Sequence, residues 1–386
     1  MNNFNYHVPT DIRFGKDQIA CLPEELKKYG HRVLLVYGGG SIKRTGLYDK
    51  VCQLLHEFEI YELPGIEPNP KLKSVRTGAK LCKEHKIDVI LAVGGGSCID
   101  AAKHIACGAY YDGDPWDLML DRSKITSALP IAVVLTICAT GSEMNSGAVI
   151  SNEETNEKLE INSPVLYPTL SVCDPTYLYT LPKKQTAAGT VDIMSHVLEQ
   201  YFQPNMEAYI TDRLSEGVLK TCINYGPIAL EEPDNYEARS NLMWASTMAL
   251  NHLLTVGKGG AWSVHPMEHE LSAFYDITHG VGLAILTPAW MKYVLCDKTV
   301  DRFAMLARNV WGVEAEDAYE AARLGIEKTE EFFKNLGMPQ RLSEVGIGTE
   351  KLQFMAEETV RTSRISSHSY YPLQADDILK IFESVC

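Results

Sequence analysis

Several things are missing from this 386-residue chain, and each absence removes a class of protein. No stretch reaches the roughly 20 consecutive apolar residues that a membrane-spanning helix needs, so no membrane role is expected. The opening residues MNNFNYHVPTDIRFG carry neither the basic start nor the apolar centre of a secretory signal. The ten cysteines contain no Cys-x-x-Cys pair, which indicates neither a disulfide framework nor a thiolate metal site. The expected setting is therefore the reducing cytoplasm. Lysine and arginine together number 36 against 50 acidic residues, a net charge of −14, and no basic run exceeds a few residues. A nucleic-acid binder would show a basic surface, so that class is disfavoured too. Low-complexity sequence is absent. What remains is ordinary for a soluble globular protein, with 45% hydrophobic and 22% charged residues. The length suits two domains, since a single core rarely grows past roughly 250–300 residues.

The two halves of the chain have different rhythms. In the first, RVLLVY (32–37), DVILAV (88–93) and LPIAVVLT (129–136) are apolar runs that alternate with helical patterns. Strands apolar on both faces, separated by helices, predict a parallel sheet covered on both sides. From about residue 184 the apolar residues follow the helical period through to KLQFMAEETVR. The expected organisation is an α/β domain over residues 1–183 and an all-helical domain over residues 184–386.

Two of the apolar runs end in the same tetrapeptide: Gly38, Gly39, Gly40, Ser41 and Gly94, Gly95, Gly96, Ser97. Glycine between a strand and a helix lets backbone N–H groups approach a phosphate, and the helix N-terminus adds partial positive charge. A single such turn is equally well a tight bend that needs glycine; two of them at two strand ends favour a ligand. Neither is G-x-G-x-x-G, nor a P-loop. Asp100, in the first helical turn, can stabilise that terminus or bond a ligand hydroxyl. A third strand end, Thr136 to Ser142, offers hydroxyls and a glycine where ligands of parallel sheets bind.

Of 11 histidines, three fall within residues 261–280: His265, His269 and His279. Asp192 and His196 stand four apart in a helical segment, as do His265 and His269, so each pair shares one helix face. One carboxylate and three imidazoles form a mixed oxygen and nitrogen set that suits Fe(II), Zn(II), Mn(II), Co(II) or Ni(II). A lone helical histidine is more often surface or core, and His7, His31, His56, His85, His104, His252 and His368 have no such company.

GGGSCIDAAK, EPNP (67–70), TGSE (140–143), DIMSHVLEQYF and HPMEHELSAFYDITHGVGLAI together resemble the iron-containing (group III) alcohol dehydrogenase family, over essentially the whole chain. Within it they are most similar to NAD(P)H-dependent butanol dehydrogenases and broad aldehyde reductases. The resemblance implies the dehydroquinate-synthase-like fold of that family, in which the α/β domain is a Rossmann-like dinucleotide-binding domain and the all-helical domain binds the metal, and it implies a homodimer. It implies a divalent ion, Fe2+ foremost with Zn2+ as the second choice, on Asp192, His196, His265 and His279, with His269 beside the nicotinamide as the catalytic candidate. It implies a pyrophosphate at Gly95, Gly96, Ser97 and Asp100, with Thr136, Thr140 and Lys158 touching the cofactor. The expected activity is metal-dependent interconversion of a small primary alcohol and its aldehyde. Family members that prefer NAD often carry an acid just after the first strand, whereas Gly38, Gly39, Gly40, Ser41, Lys43 and Arg44 stand here. Amides, a hydroxyl and cations suit a 2′-phosphate, so NADP(H) is favoured over NAD(H). The competing expectations are polyol oxidation of the glycerol-dehydrogenase kind, a non-redox NAD-using lyase, and a nucleotide or metal sensor.

Overall fold

The three apolar runs become the centre of a sheet. In the computed structural model, which describes residues 1–204, 207–260 and 262–386, eight strands are defined: β1 (Asp11–Phe14), β2 (Arg32–Tyr37), β3 (Glu59–Leu63), β4 (Val89–Gly94), β5 (Ile131–Leu135), β6 (Gly147–Asn152), β7 (Glu157–Asn162) and β8 (Leu170–Cys173). Six form one sheet in the order β1-β8-β5-β4-β2-β3, and every pairing in it is parallel. β6 and β7 form a separate antiparallel hairpin. β4 and β5 are buried at every position, as expected where helices cover both faces. The expected parallel α/β domain followed by a helical one is therefore the observed architecture. Among the described residues all strands precede residue 174, and no helix is long and apolar enough to cross a membrane.

The chain forms two compact units. One comprises His7–Leu181 and Pro233–Asn251; the other comprises Met1–Tyr6, Pro182–Glu232 and His252–Cys386. In the first, Val33, Leu35, Val89, Leu91, Val93, Ala132, Val134 and Val172 pack one sheet face onto Ile19, Leu22, Val51 and Leu55. This unit also takes in the later helix Tyr236–Ala249, where Thr247 Oγ1 donates 2.6 Å to buried Glu143.

The second unit is built around the helix Lys183–Tyr201, sixteen of whose residues are buried. A helix buried on all sides needs its end groups satisfied, and here two cations do so. Arg302 donates to Tyr201 O through Nε at 3.0 Å and Nη2 at 2.6 Å, and Lys258 Nζ donates to Gln200 O at 2.9 Å. Both pair with Asp212, 2.6 Å from Arg302 and 2.7 Å from Lys258. Positive charge at a helix C-terminus is favourable. Just beyond, Phe202 packs its ring 4.5 Å from Phe303 and 5.5 Å from Trp290. This helix is anchored at its far end, which fixes the side chains along its length.

Candidate metal centre and nucleotide loops

Asp192 and His196 lie on that anchored helix. His265 and His269 lie on the helix Val264–Tyr275, and His279 is the first residue of His279–Val294. The fold brings Asp192, His196, His265 and His279 together, with one potential ligand atom from each all within 4.8 Å of one another. The His196 ring centroid is 4.6 Å from that of His265, which is 5.1 Å from that of His279. Asp192 Oδ1 is 3.3 Å from His196 Nδ1 and 3.8 Å from His279 Nε2.

This donor set fits a metal ion on two grounds. First, His196 Nδ1 and His265 Nε2 are buried ring nitrogens with no hydrogen-bond partner, an arrangement that costs free energy unless something else binds them. Second, burial, reinforced by the neighbouring His265 and His279, holds the His196 pKa well below its ordinary value, and a neutral imidazole is the ligating form. His269 stands outside this quartet. It is half-buried, with its ring 5.8 Å from that of His279, and groups with Glu268 and His279 instead.

Two carboxylates escaped the sequence reading. Glu199, on the Asp192 helix, is buried and accepts from Ser263 N (2.8 Å), Val264 N (2.7 Å) and His265 N (2.9 Å). The same Oε1 lies 3.2 Å from His265 Nδ1. It therefore caps the helix Val264–Tyr275, whose own N-cap residue makes no side-chain bond, and a proton held on Nδ1 leaves the Nε2 lone pair facing the quartet. Glu268, fully buried, does the equivalent for His279, accepting from its Nδ1 and from Ser272 Oγ. The signal was present in HVLE and MEHE, but an isolated glutamate on a helix is ordinarily read as a solvated charge.

The HGVG that follows has a steric origin. A Cβ on Gly280 would sit 2.2 Å from Ala188 O, and one on Gly282 would sit 2.7 Å from Glu268 Cγ. Only glycine lets the His279 helix lie against the Asp192 helix with Glu268 tucked beneath it.

In the α/β unit, Gly94 ends β4 while Gly96 and Ser97 open the helix Gly96–Gly108. A Cβ on Gly96 would come within 2.5 Å of Thr140 Oγ1, and Thr136 N donates 3.0 Å to Gly94 O. The second and third strand ends thus form one surface, with Thr136 and Thr140 half-exposed on it. Asp100 turns inward, accepting from Ser142 Oγ and, at 2.9 Å, from Val149 N. Beside it fully buried Lys103 donates to Asn145 Oδ1 and Gly147 O, both at 2.8 Å, and burial pushes its pKa down to about 8. Lys158, on β7, donates 3.0 Å to Asn69 Oδ1. Asn69 holds φ near +51° in EPNP, a left-handed conformation that asparagine tolerates. At the first loop, Gly40 has φ +93°, and a Cβ on Gly39 or Gly40 would meet nothing within 4 Å. That loop presents open backbone ahead of Ser41.

Comparison with known proteins identifies the family. The family model for "Iron-containing alcohol dehydrogenase" matches residues 9–175, and that for "Fe-containing alcohol dehydrogenase family, C-terminal" matches residues 186–386. This chain belongs to the iron-containing alcohol dehydrogenases. It is 56% identical over 386 residues, 99% of each chain, to NADH-dependent butanol dehydrogenase A of Clostridium acetobutylicum. It is 40% identical, over all of both chains, to the NADPH-dependent aldehyde reductase YqhD of Escherichia coli. A crystal structure of NADH-dependent butanol dehydrogenase A from Thermotoga maritima superposes with a TM-score of 0.96 at 42% identity, covering 100% of this chain and 99% of that one.

Proposed function

We propose that this oxidoreductase interconverts a small primary alcohol and its aldehyde, using a nicotinamide cofactor and a divalent ion held by Asp192, His196, His265 and His279. The observation that carries the reading is the convergence of four ligand atoms within 4.8 Å, two of the contributing rings presenting buried nitrogens with no hydrogen-bond partner. An oxygen- and nitrogen-only set accepts Fe(II), Zn(II) and other divalent first-row ions, and membership of the iron-containing family puts Fe(II) first and Zn(II) second. A bound divalent ion supplies Lewis acidity toward the substrate oxygen, and a nicotinamide gives or takes the hydride. Three neutral imidazoles and one carboxylate leave the ion and its ligands with about one net positive charge facing the substrate oxygen, the sign that favours a developing alkoxide, while the Glu199 and Glu268 charges lie behind the rings. Glu199 and Glu268 keep protons on the outer nitrogens of His265 and His279, so their inner nitrogens stay available. His269, half-exposed beside His279, is assigned to carry the proton to and from the substrate oxygen.

Gly94, Gly95, Gly96 and Ser97, at the mouth of the 13-residue helix Gly96–Gly108, hold the pyrophosphate. Thr136, Thr140 and Lys158 bond the rest of the cofactor, and Asp100 fixes the loop that carries Ser142. Gly38, Gly39, Gly40 and Ser41 take the adenosine ribose, where the absence of an acid lets a 2′-phosphate enter and favours NADPH.

The test is aldehyde-dependent loss of reduced-nicotinamide absorbance with butyraldehyde, for NADPH and NADH, before and after chelation and with Fe(II) or Zn(II) restored. Metal-restored oxidation is the expected result. No oxidation by an intact, metal-loaded protein across a panel of aldehydes would overturn the proposal, as would full activity in a protein shown to be metal-free.

A further inference from the structure

We propose that Glu62 sets how strongly the first glycine loop discriminates between NADPH and NADH, acting as a positioning residue through Lys43. The inference rests on the reading of Gly38–Ser41 as the ribose end of the cofactor site.

Glu62 lies on edge strand β3, opposite Leu35 of β2. Its carboxylate is held by two phenols: Tyr37 OH donates to Oε2 at 2.5 Å, and Tyr48 OH donates to Oε1 at 2.7 Å. The same two rings seat Lys43, whose Nζ is 4.4 Å from the Tyr48 centroid and 5.2 Å from that of Tyr37. Ammonium and carboxylate end 3.9 Å apart, close enough to attract without a hydrogen bond. Hydrogen bonds from Tyr37 foremost hold the Glu62 pKa below its ordinary value, so the counter-charge is permanent near neutrality.

A ribose 2′-phosphate and a ribose hydroxyl differ at this point chiefly in charge. The loop offers both of them the open amides of Gly39 and Gly40 and the Ser41 hydroxyl. Only the phosphate gains from Lys43, three residues beyond Gly40, and it must share that cation with a carboxylate already in place. Glu62 thereby pulls a loop that lacks an acid of its own back toward parity between the two cofactors. The side chains are half-exposed, at 50% for Lys43 and 37% for Glu62, so solvent screens the pair and the effect is modest. Exposed pairs of this kind shift an equilibrium constant by about two- to fivefold, and less as salt is raised.

The experiment is fluorescence titration of the intact protein with NADPH and with NADH, at low and high salt, for wild type, Glu62→Gln, Lys43→Met and the double variant. Glu62→Thr, which suits an edge strand, serves as a second variant should the glutamine form misfold by circular dichroism. The expected result is that Glu62→Gln raises the NADPH-to-NADH affinity ratio about two- to fivefold at low salt. Lys43→Met should lower the ratio, and the gain from Glu62→Gln should vanish in the Lys43→Met background. If Lys43→Met lowers the ratio but neither Glu62 variant changes it, the role of Glu62 is overturned and the cofactor reading stands. If both cofactors bind and no variant moves the ratio, the assignment of the first loop to the ribose end fails. A gain that persists without Lys43 would mean that Glu62 repels the phosphate directly, which overturns the route proposed here.

Discussion

The replacement Glu199→Gln tests whether the proposed metal ligands are held by the carboxylate behind them. Glu199 uses one oxygen for Ser263 N and the other for Val264 N, His265 N and His265 Nδ1. Glutamine has nearly the same shape but replaces one of those oxygens with a donor. In its best orientation the carboxamide oxygen keeps the group of three and the NH2 faces Ser263 N. One buried N–H is then unpaired, at a cost of about 1–3 kcal/mol. The remaining bonds lose their charge assistance, and the helix loses a negative charge at its N-terminus, which contributes about 0.3–1 kcal/mol more. The structure should survive this, but His265 should not stay aimed, because a weaker acceptor no longer fixes which ring nitrogen carries the proton. Loss of such an orienting partner typically weakens metal binding by about 10- to 100-fold. The assay is competition with a chelator for Zn(II) or Co(II), read on protein whose far-ultraviolet dichroism matches wild type, with the Co(II) absorption bands as a second readout. Activity should return substantially at saturating metal. A variant that folds and binds metal within twofold of wild type, with unchanged Co(II) bands, refutes the reasoning.

The other predictions concern the same two regions. His265→Ala should lose metal and activity together, while His269→Ala should retain metal and lower turnover by about 10²- to 10⁴-fold, the usual contribution of a proton-transfer group; loss of metal from His269→Ala would make it a ligand instead. Gly280→Ala places a methyl 2.2 Å from Ala188 O, so the two ligand-bearing helices must part, at about 1–3 kcal/mol. Its melting temperature and metal affinity should both fall, and an unchanged pair of values would show that the helices do not need this contact. Lys103 has a folded pKa near 8, lowered by burial from its ordinary 10.5. Between those values the unfolded chain binds the proton and the folded one does not, so stability from this group rises with pH across that window, by up to about 1.4 kcal/mol per pH unit. The melting temperature of wild type should therefore gain on that of Lys103→Met from pH 8 upward, and a constant gap would show that Lys103 is not titrating there.

How much of this was legible in the sequence follows from how each feature is encoded. β2, β4 and β5 are buried on both faces, so burial wrote itself as unbroken apolar runs. β3, sequence EIYEL, is an edge strand with only Leu63 buried, and β1 and β8 have four residues each; none carries enough apolar sequence to stand out. The hairpin β6–β7 includes EKLEIN, whose charges hide it, yet it is the element that presents Lys158. The helix Tyr236–Ala249 looks like its neighbours in composition, and nothing local records that it clusters with the sheet.

The site shows the same division more sharply. The proposed metal ligands are legible because histidine is uncommon and because Asp192 and His196, which share one helix, stand i, i+4; His265 and His279 lie on separate helices and carry no such spacing. The groups that aim those ligands obey no such spacing. Glu199 reaches residues 263–265 and Glu268 reaches His279 across turns of the fold, so their partners exist only in three dimensions. The glycines of HGVG are intermediate: their sequence is conspicuous, but its cause, a carbonyl of Ala188 and a carboxylate stem pressed against the helix, is not. A histidine cluster in sequence is therefore evidence for what binds. The affinity with which it binds is written in glutamates and glycines, and their meaning depends on packing. This is why Glu199→Gln, rather than a ligand deletion, is the sharper test of the centre: it leaves all four proposed ligands in place and asks whether position alone was being supplied.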